Sequence, residues 1–231
     1  MDYVPWITPG VTPFHVHDFA DFTYEQAVEF TDELVRRIPE RREQLEILVR
    51  STPGYSTWVA DYSTASLEPL GAWAKDHLPI RPPTPDDKPM GSISPECPVP
   101  REMIHFPTPK YIVTDLGWSV LADIGIHVSE LLRRSDPCWT WTTCRDAGKS
   151  YMATDHHAPS VSWRGRKKGG WFCPFFTGQN CVRRILDGSD QTNELRSFLE
   201  HWISKAPDLR ERFGSTPVSP PGTRKPRRRK S

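Results

Sequence analysis

Apolar residues along this chain recur at helical spacing in several long windows and at alternate positions in a few short ones. The clearest window starts at Thr114. Advancing 100° per residue from Leu116 places Leu116, Val120, Leu121, Ile124, Val128, Leu131 and Leu132 on one broad face. That face is wider than a coiled-coil seam and predicts a helix over 114–134 with core on two sides. Thr114 or Asp115 is placed to cap its start, and Arg133 and Arg134 suit the negative end of the helix dipole. Pro137 forbids continuation. Gly117 and Gly125 weaken a helix, which points to close approach by a neighbouring element.

Beyond Pro137 the period changes from helical to two. Trp139, Trp141 and Thr143 alternate with Thr140, Thr142 and Cys144, and the segments SYMAT, SVSW and GWFCPFF follow between turns. These predict a small antiparallel meander. Upstream, residues 23–50 read as helical. Thr23 and Gln26 form a capping box, Ala27, Phe30, Leu34 and Ile38 point inward, Pro39 interrupts, and the helix resumes with Leu45, Leu48 and Val49 inward. Arg41, Arg42, Glu43 and Glu46 fall on its solvent face. Residues 51–65 contain a turn followed by Trp58, Val59 and Tyr62. Ser66–Leu78 reads as a second amphipathic helix with Pro69 in its first turn. Gly178–Leu186 and Gln191–Lys205 are the closing helices, the last with Leu195, Phe198, Leu199, Trp202 and Ile203 as its inner stripe. The first 22 residues, with Trp6, Phe14, Phe19 and Phe22 among prolines and a glycine, read as an ordered arm or edge strand. The expected fold is therefore α+β, with amphipathic helices packed on one face of a small antiparallel sheet.

Proline content changes one part of this picture. Ten of the 24 prolines lie within 79–109, so that stretch is expected to be a long surface excursion without regular core elements. Charge changes another. The net charge of +1 conceals residues 215–231, which carry six of the 30 Arg and Lys and no acid, leaving −5 on the rest. Residues 1–214 are expected to form one α+β domain and 215–231 a disordered basic tail. No apolar run is long enough to span a bilayer and no signal peptide is visible, so a cytoplasmic location is expected, without a membrane partner. Five cysteines without close pair spacing fit free thiols.

Candidate chemistry is sparse. Asp123, His127 and Glu130 are spaced i, i+4, i+7 at the edge of the apolar face. Two carboxylates and an imidazole in a row suit a divalent metal or proton transfer. The first reading, however, is a histidine that closes the core edge and hydrogen-bonds one or both acids. His15 and His17 share one strand face, as in metal sites, without a third ligand nearby. Asp155-His156-His157 is similar to the motif of one phosphoesterase superfamily, whose earlier acidic motifs are missing here. Cys138, Cys144, Cys173 and Cys181 lack the two-residue spacing of zinc knuckles. No metal and no cofactor is expected. Arg164, Arg166, Lys167 and Lys168, flanked by Trp163 and Trp171, form a basic hairpin tip. With Arg227, Arg228 and Arg229 of the tail they are the candidate nucleic-acid contacts, of a non-specific polyanion-binding kind.

The order Ser66-Leu67, Leu70 and Trp73, then Asp123, Gly125, Glu130 and Arg133, then Trp139, resembles a pattern in small uncharacterised bacterial α+β proteins of the immunity or accessory type. It covers about a third of the chain, and the resemblance implies a partner rather than a known reaction. The first expectation is a protein that acts by binding another protein. An acidic body rich in Trp and Tyr with a Pro-rich excursion suits an interface. The alternatives are a metal-dependent hydrolase or nuclease built on Asp123, His127 and Glu130, and a nucleic-acid-binding accessory protein led by the hairpin and the tail.

Overall fold

The structure, a computed structural model, describes residues 3–5, 19, 22–85, 110–144, 157–164, 171–188 and 192–214. Helix α1 spans Tyr24–Arg50, opened by the reciprocal Thr23 and Gln26 bonds of a capping box. A single 3-10 turn, Thr64–Ser66, leads into α2, Leu67–His77. Strands β1, Ile80–Arg81, and β2, Ile112–Val113, pair antiparallel. Helix α3 spans Asp115–Ser135. Strands β3, Trp139–Thr143, β4, Pro159–Trp163, and β5, Trp171–Phe172, form an antiparallel sheet with β4 in the middle. Helices α4, Pro174–Leu186, and α5, Glu194–Phe213, close the order. The fold is α+β, as the period change after Pro137 predicts.

Helix α3 is the axis. Thr114 caps it through a bond from the Gly117 amide to the threonine hydroxyl, 3.1 Å. Every residue from Ser119 to Leu132 is buried. Val120, Leu121, Ile124, Val128, Leu131 and Leu132 feed the larger of two apolar clusters. Ala122 and Ile126 feed the smaller, with Phe19, Leu34, Ile38 and Phe175. This second face goes beyond the predicted stripe, and Leu116, placed in the stripe, is instead 37 % exposed at the first turn. A short Ala/Ile pair is too weak a periodic signal to read in one dimension.

Trp139, Trp141, Trp163 and Phe172 share one face of the sheet. Trp139 and Trp163 pair directly across β3 and β4, with rings 5.1 Å apart edge to face. Phe172 meets Trp202 of α5 at 4.3 Å, and Thr143 bonds Thr31 of α1 at 2.8 Å. Helices α1, α3 and α5 thus lie over the face that carries Trp139, Trp141 and Thr143. The SYMAT segment lies outside the described residues.

Three predicted boundaries shift, each at a proline. Helix α1 runs through Pro39 without interruption. One lost backbone bond is outweighed because Ile38 and Arg41, on either side, are both buried. Helix α5 likewise runs through Pro207 to Phe213, and Ala206 and Leu209 extend its buried stripe past Lys205. In GWFCPFF the strand stops at Phe172. Pro174 cannot donate to a ladder but suits the first turn of a helix, so α4 begins there rather than at Gly178. Within 79–109, β1 is one short regular element in what reads as wholly irregular, and it pairs with β2 beyond that stretch. Residues 86–109 lie outside the described residues.

Helices α3 and α4 touch backbone to backbone. A Cβ on Gly125 would stand 1.8 Å from the Pro174 carbonyl oxygen, and one on Gly178 2.1 Å from that of Leu121. Gly125→Ala is therefore expected to cost about 1–3 kcal/mol or more, because well-packed backbone must be pushed apart. Urea unfolding of the variant checks this. A midpoint equal to wild type would mean that the two helices do not meet at this pair.

Candidate functional site

The three candidate residues of α3 do not converge: α1 holds Asp123, the loop 51–66 meets His127, and Arg133 of the same helix together with Trp141 of β3 holds Glu130. Asp123 is fully enclosed and accepts from Arg41 of α1 through both oxygens, at 2.9 Å from Nε and 2.6 Å from Nη2. The Tyr3 hydroxyl adds a third bond at 2.6 Å. Arg41 also donates to the Val4 carbonyl at 2.9 Å, and the Val4 amide donates to Gln44 at 2.7 Å. Burial pushes the Asp123 carboxyl up from its ordinary value, against the bonds from Arg41 and Tyr3 that favour the ionised form. Burial, reinforced by the neighbouring carboxylate, also raises the Tyr3 phenol, which stays protonated as a donor. Arg41 was expected on a solvent face. It is 1 % exposed, because its charge has a buried counter-ion 82 residues away that local spacing cannot reveal.

Glu130 sits at the other end. Arg133 grips it with two bonds of 2.7 and 2.9 Å, Trp141 Nε1 donates at 2.6 Å, and Arg134 stands 3.6 Å off. Burial alone would raise the Glu130 carboxyl, but these donors outweigh it and hold the group below its usual range.

Between them, His127 faces the loop that joins α1 to α2. Its Nε2 lies 3.1 Å from Ser66 Oγ, and Tyr62 stacks on its ring at 5.8 Å. The Ser66 hydroxyl has one proton, which goes to the Ser63 carbonyl at 2.7 Å. Nε2 must then be the donor to Ser66, which leaves Nδ1 as a bare lone pair. Nδ1 is buried with no partner among the described residues. Burial pushes the imidazole down to about 4, so it is neutral near pH 7. The expected bonds from His127 to its neighbouring acids are absent, because both acids are held by arginines.

The loop itself is pinned at many points. Trp58 Nε1 donates to the Ser66 carbonyl at 3.0 Å and Trp73 Nε1 to Thr52 Oγ1 at 2.9 Å. The Ala60 amide bonds Glu46 at 3.0 Å and Arg50 bonds the Ser56 carbonyl at 3.1 Å. Tyr62 takes a left-handed backbone, φ 59°, which is uncommon for a bulky side chain and costs strain. Val59 stands 48 % exposed between buried Trp58 and Ala60. Beside it is an open pocket of about 410 Å³ bordered by Tyr55, Thr57, Asp61, Ser63 and Pro69. Hydrogen bonds from the Ser63 hydroxyl and amide hold the Asp61 carboxyl below its usual value.

The remaining candidates are scattered. Cys138, Cys144, Cys173 and Cys181 are buried free thiols, and burial pushes Cys181 up to about 12. His157, a left-handed turn residue, donates through Nδ1 to the Phe22 carbonyl at 2.6 Å. Arg164, placed at the hairpin tip by sequence, turns inward and donates to the Phe213 carbonyl at the end of α5. His15, His17, Asp155, His156, Arg166, Lys167, Lys168, Arg227, Arg228 and Arg229 lie outside the described residues. Among the described residues no group of three or more His, Cys, Asp or Glu has the geometry to hold a metal, and no helix is long and apolar enough to cross a membrane.

Two outcomes follow. Asp123→Ala leaves Arg41 charged and unmatched in the interior, which is expected to cost about 3–5 kcal/mol in chemical unfolding. A cost below about 1 kcal/mol would mean that water reaches Arg41. For His127 the folded pKa, about 4, lies below the ordinary 6.5, so the unfolded chain takes up the proton first. The stability this contributes is whole above about pH 6.5 and is lost as pH falls towards 4, about 3 kcal/mol in total. Unfolding free energies of wild type and His127→Phe across pH 4–7.5 test this; parallel curves would show that His127 is not the titrating group.

No family model, curated protein or solved structure matches this chain.

Proposed function

We propose that this chain acts by binding another protein, with the loop 51–66 as its recognition surface. The observation that supports this is Val59. An aliphatic side chain is held out of the core while the residues on both sides of it are buried, and the loop that presents it is braced by side chains of α1 and α2. A braced loop has little freedom left to lose on binding, so contacts made there convert more fully into affinity. The adjoining pocket, with hydroxyls from Thr57 and Ser63 and the Asp61 carboxylate, supplies polar groups for orientation. The likeness to immunity and accessory proteins in Ser66, Leu67, Leu70 and Trp73 agrees with this mode of action, and three of those residues are buried on α2 behind the loop. The separate engagement of Asp123, His127 and Glu130 gives the metal-dependent hydrolase no geometric support.

A photoreactive phenylalanine derivative placed at Val59 tests the proposal in the cells that make the protein. Irradiation is expected to give one discrete adduct from position 59 and none from Glu33, an exposed residue of α1. Adducts from both positions, or from neither, would remove the loop from consideration as the binding surface.

A further inference from the structure

Three guanidinium groups gather where α1 and α3 meet the loop, and one carboxylate, Glu130, serves two of them. Arg133 takes both oxygens of Glu130. Arg134 is left with the same carboxylate at 3.6 Å. Arg42 makes no ion pair or hydrogen bond among the described residues, although its Nε is buried. Arg134 and Arg42 both lie over the ring of Tyr62, with guanidinium carbons 3.9 and 5.0 Å from its centroid. Two cations thus converge on one ring without a carboxylate of their own. Cation–π attraction offsets only part of their mutual repulsion and of the buried, unmatched donor.

The ring is fixed where it is needed. Tyr62 is held in a left-handed backbone, and His127 stacks against it, its planes within 21°. The Tyr62 hydroxyl is a further donor or acceptor at the same place. Backbone strain of this kind gathers at sites where ligands are held.

We propose that Arg42 and Arg134, braced by Tyr62, bind the phosphate group of a phosphomonoester. A carboxylate offers one charge and two oxygens, enough for a single guanidinium fork. A phosphomonoester carries close to two charges at neutral pH and three terminal oxygens, which matches two forks at once. The site is separate from the Val59 surface, and its test is read independently of cross-linking at that position.

The probe is inorganic phosphate, titrated at fixed chloride into the whole chain, with arginine Nε–Hε signals followed by NMR. Saturable movement of the Arg42 and Arg134 signals is expected, weaker at about pH 5 than at about pH 7.5 because the dianion is then depleted. Arg42→Gln and Arg134→Gln are each expected to weaken binding roughly tenfold or more, as loss of a charged hydrogen bond does. Arg36→Gln, an exposed arginine of α1 paired with Glu33, is expected to leave it unchanged. Arg134 is half exposed, so its variant stays folded even if that at Arg42 does not. Blocked phosphoserine and glycerol phosphate then separate a phosphorylated protein from a small metabolite as the source. Non-saturating shifts, equal shifts with chloride, or unchanged binding by the Arg134 variant would overturn the proposal.

Discussion

A helix buried on every side has no solvent face on which to leave its polar residues. That constraint on α3 organises the molecule. Between Ser119 and Leu132 it carries two acids and a histidine inside the protein, and the surrounding elements are arranged to answer them. Asp123 requires Arg41, and Arg41 in turn requires the Val4 carbonyl and Tyr3, so a residue near the start of the chain is drawn against the middle of α1. Glu130 requires Arg133 and the indole of Trp141, which ties α3 to the sheet. An isolated buried charge is far more costly than a matched one, and the matching is what fixes which elements are neighbours.

His127 is answered differently. Among the described residues its direct contacts are one hydroxyl and two aromatic rings. The result is a neutral ring that acts as a flat support for Tyr62. Tyr62 in turn is a support for two guanidinium groups. The loop between α1 and α2 is therefore fastened from below by packing and from its flanks by hydrogen bonds. Val59 projects from this loop, and the arginine pair, carried by α1 and α3, lies over its Tyr62, so both stand on a rigid base.

The periodic part of this structure was readable in advance. The capping box at Thr23, the stripe of α3 from Val120 to Leu132, the change to period two at Trp139 and the α+β class all depend on residues close together in sequence. Errors cluster where a local rule competes with distant packing. Pro39 and Pro207 break helices by propensity, but here the helices are held by buried residues on both sides of each proline. Arg41 and Arg42 look like solvent residues beside Glu43, and only the fold reveals Asp123 and Tyr62 as their neighbours. The site was partly visible in the same sense. Spacing places Asp123, His127 and Glu130 on one helix, but whether they share a ligand depends on side chains from elsewhere, and those divide them.

The meeting of α3 and α4 at Gly125 and Gly178 has a consequence for how the sequence can vary. Most packing defects admit a compensating change: a residue enlarged on one surface is relieved by one made smaller opposite. Here each glycine faces backbone on the other helix, from Pro174 and Leu121. Glycine is already the smallest residue, and a carbonyl oxygen cannot be trimmed by any substitution. No second-site replacement across the contact can therefore restore an added methyl. Relief has to come from moving the whole of α4, and that helix is joined through Cys173 directly to the end of β5.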